Sequence, residues 1–148
     1  MKWHKLKKSN KCNYQLVLPI QTPNMKNEMK IPKVTFRVRE GDEISSEGGC
    51  PIGGKWLNKT TNDYFKNKRV VLFSLPGAFT PTCSSQQLPG FEELYDTITK
   101  FTIDEVYCIS VNDSFVMNAW ADHMGIEKVK FIPDGSGNFT RFMGVSKS

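Results

Sequence analysis

Val70-Val71-Leu72-Phe73-Ser74-Leu75-Pro76-Gly77-Ala78-Phe79-Thr80-Pro81-Thr82-Cys83 is the stretch that decides the fold. Val70 to Leu75 is an apolar run rich in Val, Leu and Phe, which predicts a central strand buried on both faces. Pro76-Gly77 ends it. Thr80-Pro81 then opens a helix, because Thr is a good N-cap and Pro is favoured at the first helical position. Phe91, Leu94, Tyr95 and Ile98 recur three and four residues apart, so the helix carries one apolar face that far. Pro89 and Gly90 are expected to kink or interrupt it.

The same alternation continues downstream. Glu105 to Val111 reads as a second strand, Asn112-Asp113-Ser114 as a turn and cap, and Phe115 to Met124 as an amphipathic helix closed by Gly125. Val129 to Ile132 is a third strand, Pro133 to Gly137 a turn, and Phe139 to Met143 a short helix ending at Gly144. Strand, helix, strand, helix, strand implies an α/β fold with a mostly parallel sheet flanked by helices. Upstream, Lys33 to Arg39 alternates Val34, Phe36 and Val38 with polar residues, the pattern of a half-buried strand. Glu40 to Gly54 holds five glycines and one proline and reads as loop or hairpin. Asn58 to Asn67 is polar, with a helical turn expected around Asp63-Tyr64-Phe65.

A chain of 148 residues suits a single domain. Its net charge of +5 is unevenly placed. Residues 1–27 carry six lysines and no acid, which leaves 14 basic against 15 acidic residues, a net of −1, for the remainder. We divide the chain into a flexible basic extension, 1–30, and a domain, 31–148. Natural translation is expected to start at Met25 or Met29. The lysines of the extension raise nucleic-acid or anionic-membrane binding, yet a solvated tail explains them as well, and neither partner is expected. No apolar stretch is long enough to span a bilayer or to form a secretory signal core. The four cysteines, Cys12, Cys50, Cys83 and Cys108, form no C-x-x-C, so neither a zinc site nor a dithiol motif is indicated and no metal or cofactor is expected. The default setting is a reducing cytoplasm with free thiols.

Chemistry points to Cys83. In the first turn of a helix its sulfur lies close to unpaired backbone N–H groups and to the positive end of the helix dipole. Both favour thiolate, the nucleophilic form. The position follows the carboxyl end of a parallel strand, where open α/β sheets place their sites. The competing reading is a small core residue. Against it stand the hydroxyls of Thr80, Thr82, Ser84 and Ser85, which predict a polar setting.

Pro76-Gly77-Ala78-Phe79-Thr80-Pro81-Thr82-Cys83 matches the P-x-x-x-T-x-x-C signature of peroxiredoxins. Extended by Leu88-Pro89-Gly90-Phe91, it resembles the type-five branch. Val111-Asn112-Asp113-Ser114-Phe115-Val116-Met117-Asn118-Ala119-Trp120 and Asp134-Gly135-Ser136-Gly137-Asn138-Phe139-Thr140 are two further stretches typical of that branch, so the similarity covers about Ile31 to Val145. The resemblance implies a thioredoxin-like fold and a thiol-dependent peroxidase of hydrogen peroxide and small alkyl hydroperoxides. Cys83 would be the peroxidatic cysteine, oxidised to sulfenic acid. Thr80 would offer its hydroxyl to the peroxide oxygen, and Pro76 would wall the pocket. An external thiol, whether glutathione, glutaredoxin or thioredoxin, would restore Cys83. The family also suggests a homodimer.

One departure matters. Family members carry a catalytic arginine on a strand beyond the third motif, and this sequence ends at Ser148, before it; Arg141 is not the match. The final strands and helix of the fold are missing from the sequence as well, so these 148 residues alone are expected to fold poorly and to react slowly with peroxide. The alternative function is a catalytically impaired thioredoxin-like interaction protein, or a gene fragment. Cys108 reads as a buried strand thiol. Cys50 is either a resolving cysteine or an exposed loop thiol, and no spacing rule pairs it with Cys83, so a one-cysteine cycle is favoured. His123 is expected near an exposed helix end rather than paired with Cys83. Trp120 and Phe115 read as core or subunit contacts, and Asp113 and Asp134 as turn residues.

Overall fold

The structure, a computed structural model, describes residues 30–41 and 54–146. Cys12, Cys50, residues 1–29 of the basic extension and most of the glycine-rich loop lie outside the described residues.

β1 (Thr35–Glu40) and β2 (Lys55–Thr60) form an antiparallel pair with Thr35 opposite Thr60 and Glu40 opposite Lys55. β2 corrects the sequence reading, which left Lys55–Leu57 unassigned and placed Asn58–Thr60 in a polar, partly helical stretch. Lys-Trp-Leu-Asn-Lys-Thr has no apolar alternation of its own, and backbone pairing to β1 makes it a strand. The short helix α1 (Thr61–Phe65) follows at once, where expected.

β3 (Val70–Leu75), β4 (Glu105–Ser110) and β5 (Lys130–Pro133) form the predicted parallel sheet in the order β3-β4-β5. Val70 lies opposite Glu105, and Tyr107 opposite Lys130. Because side chains alternate along a strand, β3 serves two cores. Val70 and Leu72 join Phe36, Val38, Tyr64, Tyr107, Ile132 and Phe139 under the hairpin. Val71, Phe73 and Leu75 join Leu88, Val106, Met117 and Trp120 on the opposite face. This double burial is why β3 reads as an unbroken apolar run.

The helix after β3 is already helical at residues 81 and 82, widens into a π-helical turn at Cys83–Gln87, and continues as α2 (Leu88–Thr99). The interruption expected at Pro89-Gly90 takes the form of this wider turn, which ends just before Pro89. Proline lacks an N–H and its ring crowds the carbonyl four residues back. The wider turn, in which the Leu88 N–H donates to the Cys83 carbonyl five residues back, absorbs the misfit. α3 (Ser114–Met124) starts and stops as its sequence predicts: the Asp113 carboxylate accepts from the Val116 N–H at 2.9 Å, and Gly125 closes it at φ 62°. α4 (Asn138–Phe142) is organised by Asp134. That residue is fully buried and accepts from the N–H groups of Phe139 and Thr140 and from the Thr140 hydroxyl, more than the simple turn role expected of it.

Among the described residues, no helix is long and apolar enough to cross a membrane.

Candidate active site

Three elements bring the site together at the carboxyl end of the sheet. β3 ends at Leu75, Pro76 makes an exposed bend, and the chain reverses through Phe79, a bulky residue at φ 60°. The Thr80 carbonyl then accepts the first helical bond, from the Ser84 N–H at 3.0 Å. Cys83 thus occupies the first turn, as predicted.

Thr80 differs from expectation in what its hydroxyl does. It donates to the Gly77 carbonyl at 2.9 Å, closing the turn on itself, and does not cap the first-turn N–H groups. Those groups stay available for an anion beside Cys83. The turn is also pinned from the neighbouring strand. Asn112 accepts the Ala78 N–H at 2.9 Å and the Ser110 hydroxyl at 2.7 Å on one carbonyl oxygen. Sequence reasoning treated Asn112 as part of a turn and missed this positioning role. Its only sequence signal was its place within the second motif.

The predicted polar setting of Cys83 is corrected. Its side chain is 2% exposed and lies on the inward face, in the cluster with Leu75, Leu88, Cys108 and Trp120. The hydroxyls point elsewhere because residues one or two apart on a helix do not share a face. Thr82 and Ser85 are exposed, whereas Ser84 accepts the buried Trp120 indole N–H at 3.1 Å. That bond ties α3 to the Cys83 helix. Trp120 is core, as one of the two readings held, while Phe115 is partly exposed and packs edge-on against Trp56.

Cys108 is fully buried, as expected. Burial first, and the neighbouring Cys83 second, push its thiol well above the ordinary cysteine range, so it stays protonated. His123 is exposed, with its ring beside Phe79. The chain's four arginines are engaged away from the turn. Arg37 and Arg39 lie over Trp56, Arg69 bonds the Thr102 hydroxyl, and Arg141 bonds Asn138. Among the described residues no cluster of His, Cys, Asp and Glu is arranged to hold a metal.

Known proteins agree with this architecture. Residues 26–148 match the Redoxin family model. The chain is 61% identical over 116 residues to the peroxiredoxin y4vD of Sinorhizobium fredii, covering 78% of this chain and 60% of that protein. It therefore spans about three fifths of that relative's length. Among solved structures, the reduced Prx3 of Vibrio vulnificus in complex with hydrogen peroxide superposes with a TM-score of 0.66 at 32% identity, over 82% of this chain and 69% of that one. The 1-Cys peroxiredoxin antioxidant protein of Plasmodium falciparum gives a TM-score of 0.66 at 38% identity, over 77% of this chain and 65% of that one. These matches establish the thioredoxin-like fold of the peroxiredoxins, and the chain belongs to the redoxin family as one of its peroxiredoxins.

Proposed function

We propose that the chain is a thiol-dependent peroxidase whose nucleophile is Cys83. The observation that carries this reading is the placement of Cys83 in the first turn of the helix after β3. The Thr80 hydroxyl closes that turn on the Gly77 carbonyl, and the backbone N–H groups of the turn precede the first helical bond. The thiolate attacks one peroxide oxygen, the O–O bond breaks, and the departing oxygen leaves as water or alcohol after taking a proton. Cys83 becomes sulfenic acid. Charge grows on the departing oxygen, so fixed donors help most in the transition state. Thr80 would exchange its Gly77 carbonyl for that oxygen, and Pro76 would shield the sulfur from water. One external thiol then forms a mixed disulfide with release of water, and a second returns Cys83 to the thiol. Glutathione, glutaredoxin or thioredoxin fits this step, in a reducing cytoplasm and in a homodimer.

Hydrogen peroxide is the small-peroxide substrate we favour, supported by its presence in the Vibrio vulnificus complex. The one-cysteine cycle draws support from the 1-Cys relative of Plasmodium falciparum. A second reading, a non-catalytic thioredoxin-like interaction protein, is favoured by one observation: among the described residues, the contacts of Arg37, Arg69 and Arg141 lie away from the Cys83 turn. Single-turnover reaction with peroxide separates the two. Rapid stoichiometric oxidation, trapped and located at Cys83 by mass and absent in Cys83→Ser, supports the peroxidase. Slow oxidation spread over several cysteines overturns it in favour of the second reading. A Cys50–Cys83 bridge in the oxidised monomer would refute the one-cysteine cycle.

A further inference from the structure

A cavity of about 220 Å³ lies on the hairpin side of the sheet, lined in part by Arg37, Trp56, Asp113, Ser114, Gly135 and Ser136. Topology explains its walls. Arg39 stands opposite Trp56 across the hairpin, and Arg37, two residues back, shares that outer face. Asp113 follows β4 and Gly135 follows β5, both at carboxyl ends of parallel strands, the usual ligand side of such sheets. The two loops approach closely at Gly135, where a Cβ would sit 3.3 Å from the Asp113 Cα.

The chemistry of the walls is selective. The exposed Arg37 guanidinium lies over the Trp56 indole, 4.7 Å from its centroid, and no carboxylate of the described residues pairs with it. Asp113 spends one carboxylate oxygen on the α3 cap, leaving the other without a bond among the described residues. The Ser114 hydroxyl accepts the Arg39 N–H at 2.8 Å and keeps its own proton to donate. A simple anion would suit Arg37 but meet Asp113, and a simple cation the reverse. A neutral molecule would compensate neither charge. A zwitterion satisfies both.

We propose that this cavity binds the zwitterionic head of a small amino-acid-type ligand. The carboxylate would be held by Arg37, whose guanidinium is steadied over the Trp56 indole, and the ammonium by Asp113. Two sources share this chemistry: a free amino acid, or the γ-glutamyl end of a small peptide thiol. Only the second source rests on the peroxidase reading of Cys83. It would bring a reductant to the end of the sheet that carries Cys83.

Titration calorimetry of the 148-residue chain with S-methylglutathione, which cannot react, tests the site without reference to peroxide chemistry. Trp56 fluorescence supplies a second readout. Binding should be saturable and should weaken about tenfold or more in Arg37→Gln and in Asp113→Asn, since each loses one charge-assisted contact. Asn caps a helix as well as Asp does, so the second variant should keep α3 intact, and thermal melts check this. Lys33→Gln removes a charge from the same segment outside the cavity and should bind like the parent. N-acetylation of the ligand should abolish binding. Free glutamate binding as tightly as S-methylglutathione assigns the amino-acid source, and much weaker binding assigns the peptide. No saturable binding by either ligand would overturn the proposal. So would full affinity in both charge variants, or equal loss in Lys33→Gln.

Discussion

Replacing Ser84 by alanine should loosen the Cys83 helix by a calculable amount. Trp120 is 0% exposed, and its indole N–H has Ser84 as its acceptor, at 3.1 Å. Without the hydroxyl, a buried donor is left unsatisfied, a loss of about 1–3 kcal/mol. For a domain whose net stability is about 5–15 kcal/mol this is a large fraction. At this chain length the melting temperature should fall by roughly 2–4 °C per kcal/mol lost. The local consequence is sharper. Cys83 is 2% exposed, so alkylation by iodoacetamide requires opening of its turn. If opening is fast relative to alkylation, the rate follows the open population. Two kcal/mol then raise the rate of Cys83 alkylation by a factor of about 30, whereas Cys108, held inside β4, should respond only to global unfolding. Urea denaturation gives the first quantity and mass-resolved alkylation the second. Trp120→Phe removes the donor as well, so adding Ser84→Ala to it should cost much less than in the parent. Loss below about 0.5 kcal/mol in Ser84→Ala, with Cys83 alkylating at the parental rate, would refute the argument that this bond holds the turn shut.

Three other substitutions test separate parts of the fold and site. Thr80→Val keeps the shape but removes the hydroxyl, and single-turnover oxidation of Cys83 should slow by about 10–1000-fold, while Thr80→Ser should retain most of the rate. Glu92 feels burial first, which raises its pKa, but the N–H groups of Val129, Lys128 and Glu127 outweigh it and hold the carboxyl below its ordinary value of 4.5. Its stabilisation is therefore complete above pH 4.5 and is lost as pH falls through the lower folded value, so Glu92→Gln should flatten the acid limb of a melting-temperature profile. Gly135→Ala forces a Cβ to within 3.3 Å of backbone at Asp113, and a melt should show a loss of about 1–3 kcal/mol.

Legibility in the sequence followed the physics of each element. β3 was plain because burial on both faces demands an apolar residue at nearly every position. α3 was plain because Asp113 and Gly125 punctuate it. β2 was hidden because its side chains are mostly exposed and its strand character comes from pairing with residues some twenty positions earlier. The cavity was hidden with it, since Arg37 and Trp56 become neighbours only through that pairing. Cys83 lies in the first turn of the helix after β3, as its sequence context predicts, yet its surroundings differ from the polar setting expected. Counting neighbouring hydroxyls along the sequence ignores the helical geometry that turns Thr82 and Ser85 outward and Cys83 inward.

Burial of Cys83 and its proposed reactivity are compatible if the two ends of the residue face different surroundings. The side chain packs among Leu75, Leu88 and Trp120, while its backbone belongs to a turn whose N–H groups precede the first helical bond. In the proposed reaction the apolar wall would keep water from the sulfur, and the amides of the turn would supply charge stabilisation to the departing oxygen. Such a turn is not the backbone's preferred shape. Phe79 at φ 60° costs roughly 1–3 kcal/mol for a residue of its bulk. That cost is offset locally by the Asn112 bond to Ala78, the Thr80 bond to Gly77 and the Trp120 bond to Ser84. A strained turn held by three separate contacts stays closed only while all of them persist. Losing any one should expose the sulfur before the sheet beneath it yields, which is why the alkylation of Cys83 is a more sensitive reporter than the melt.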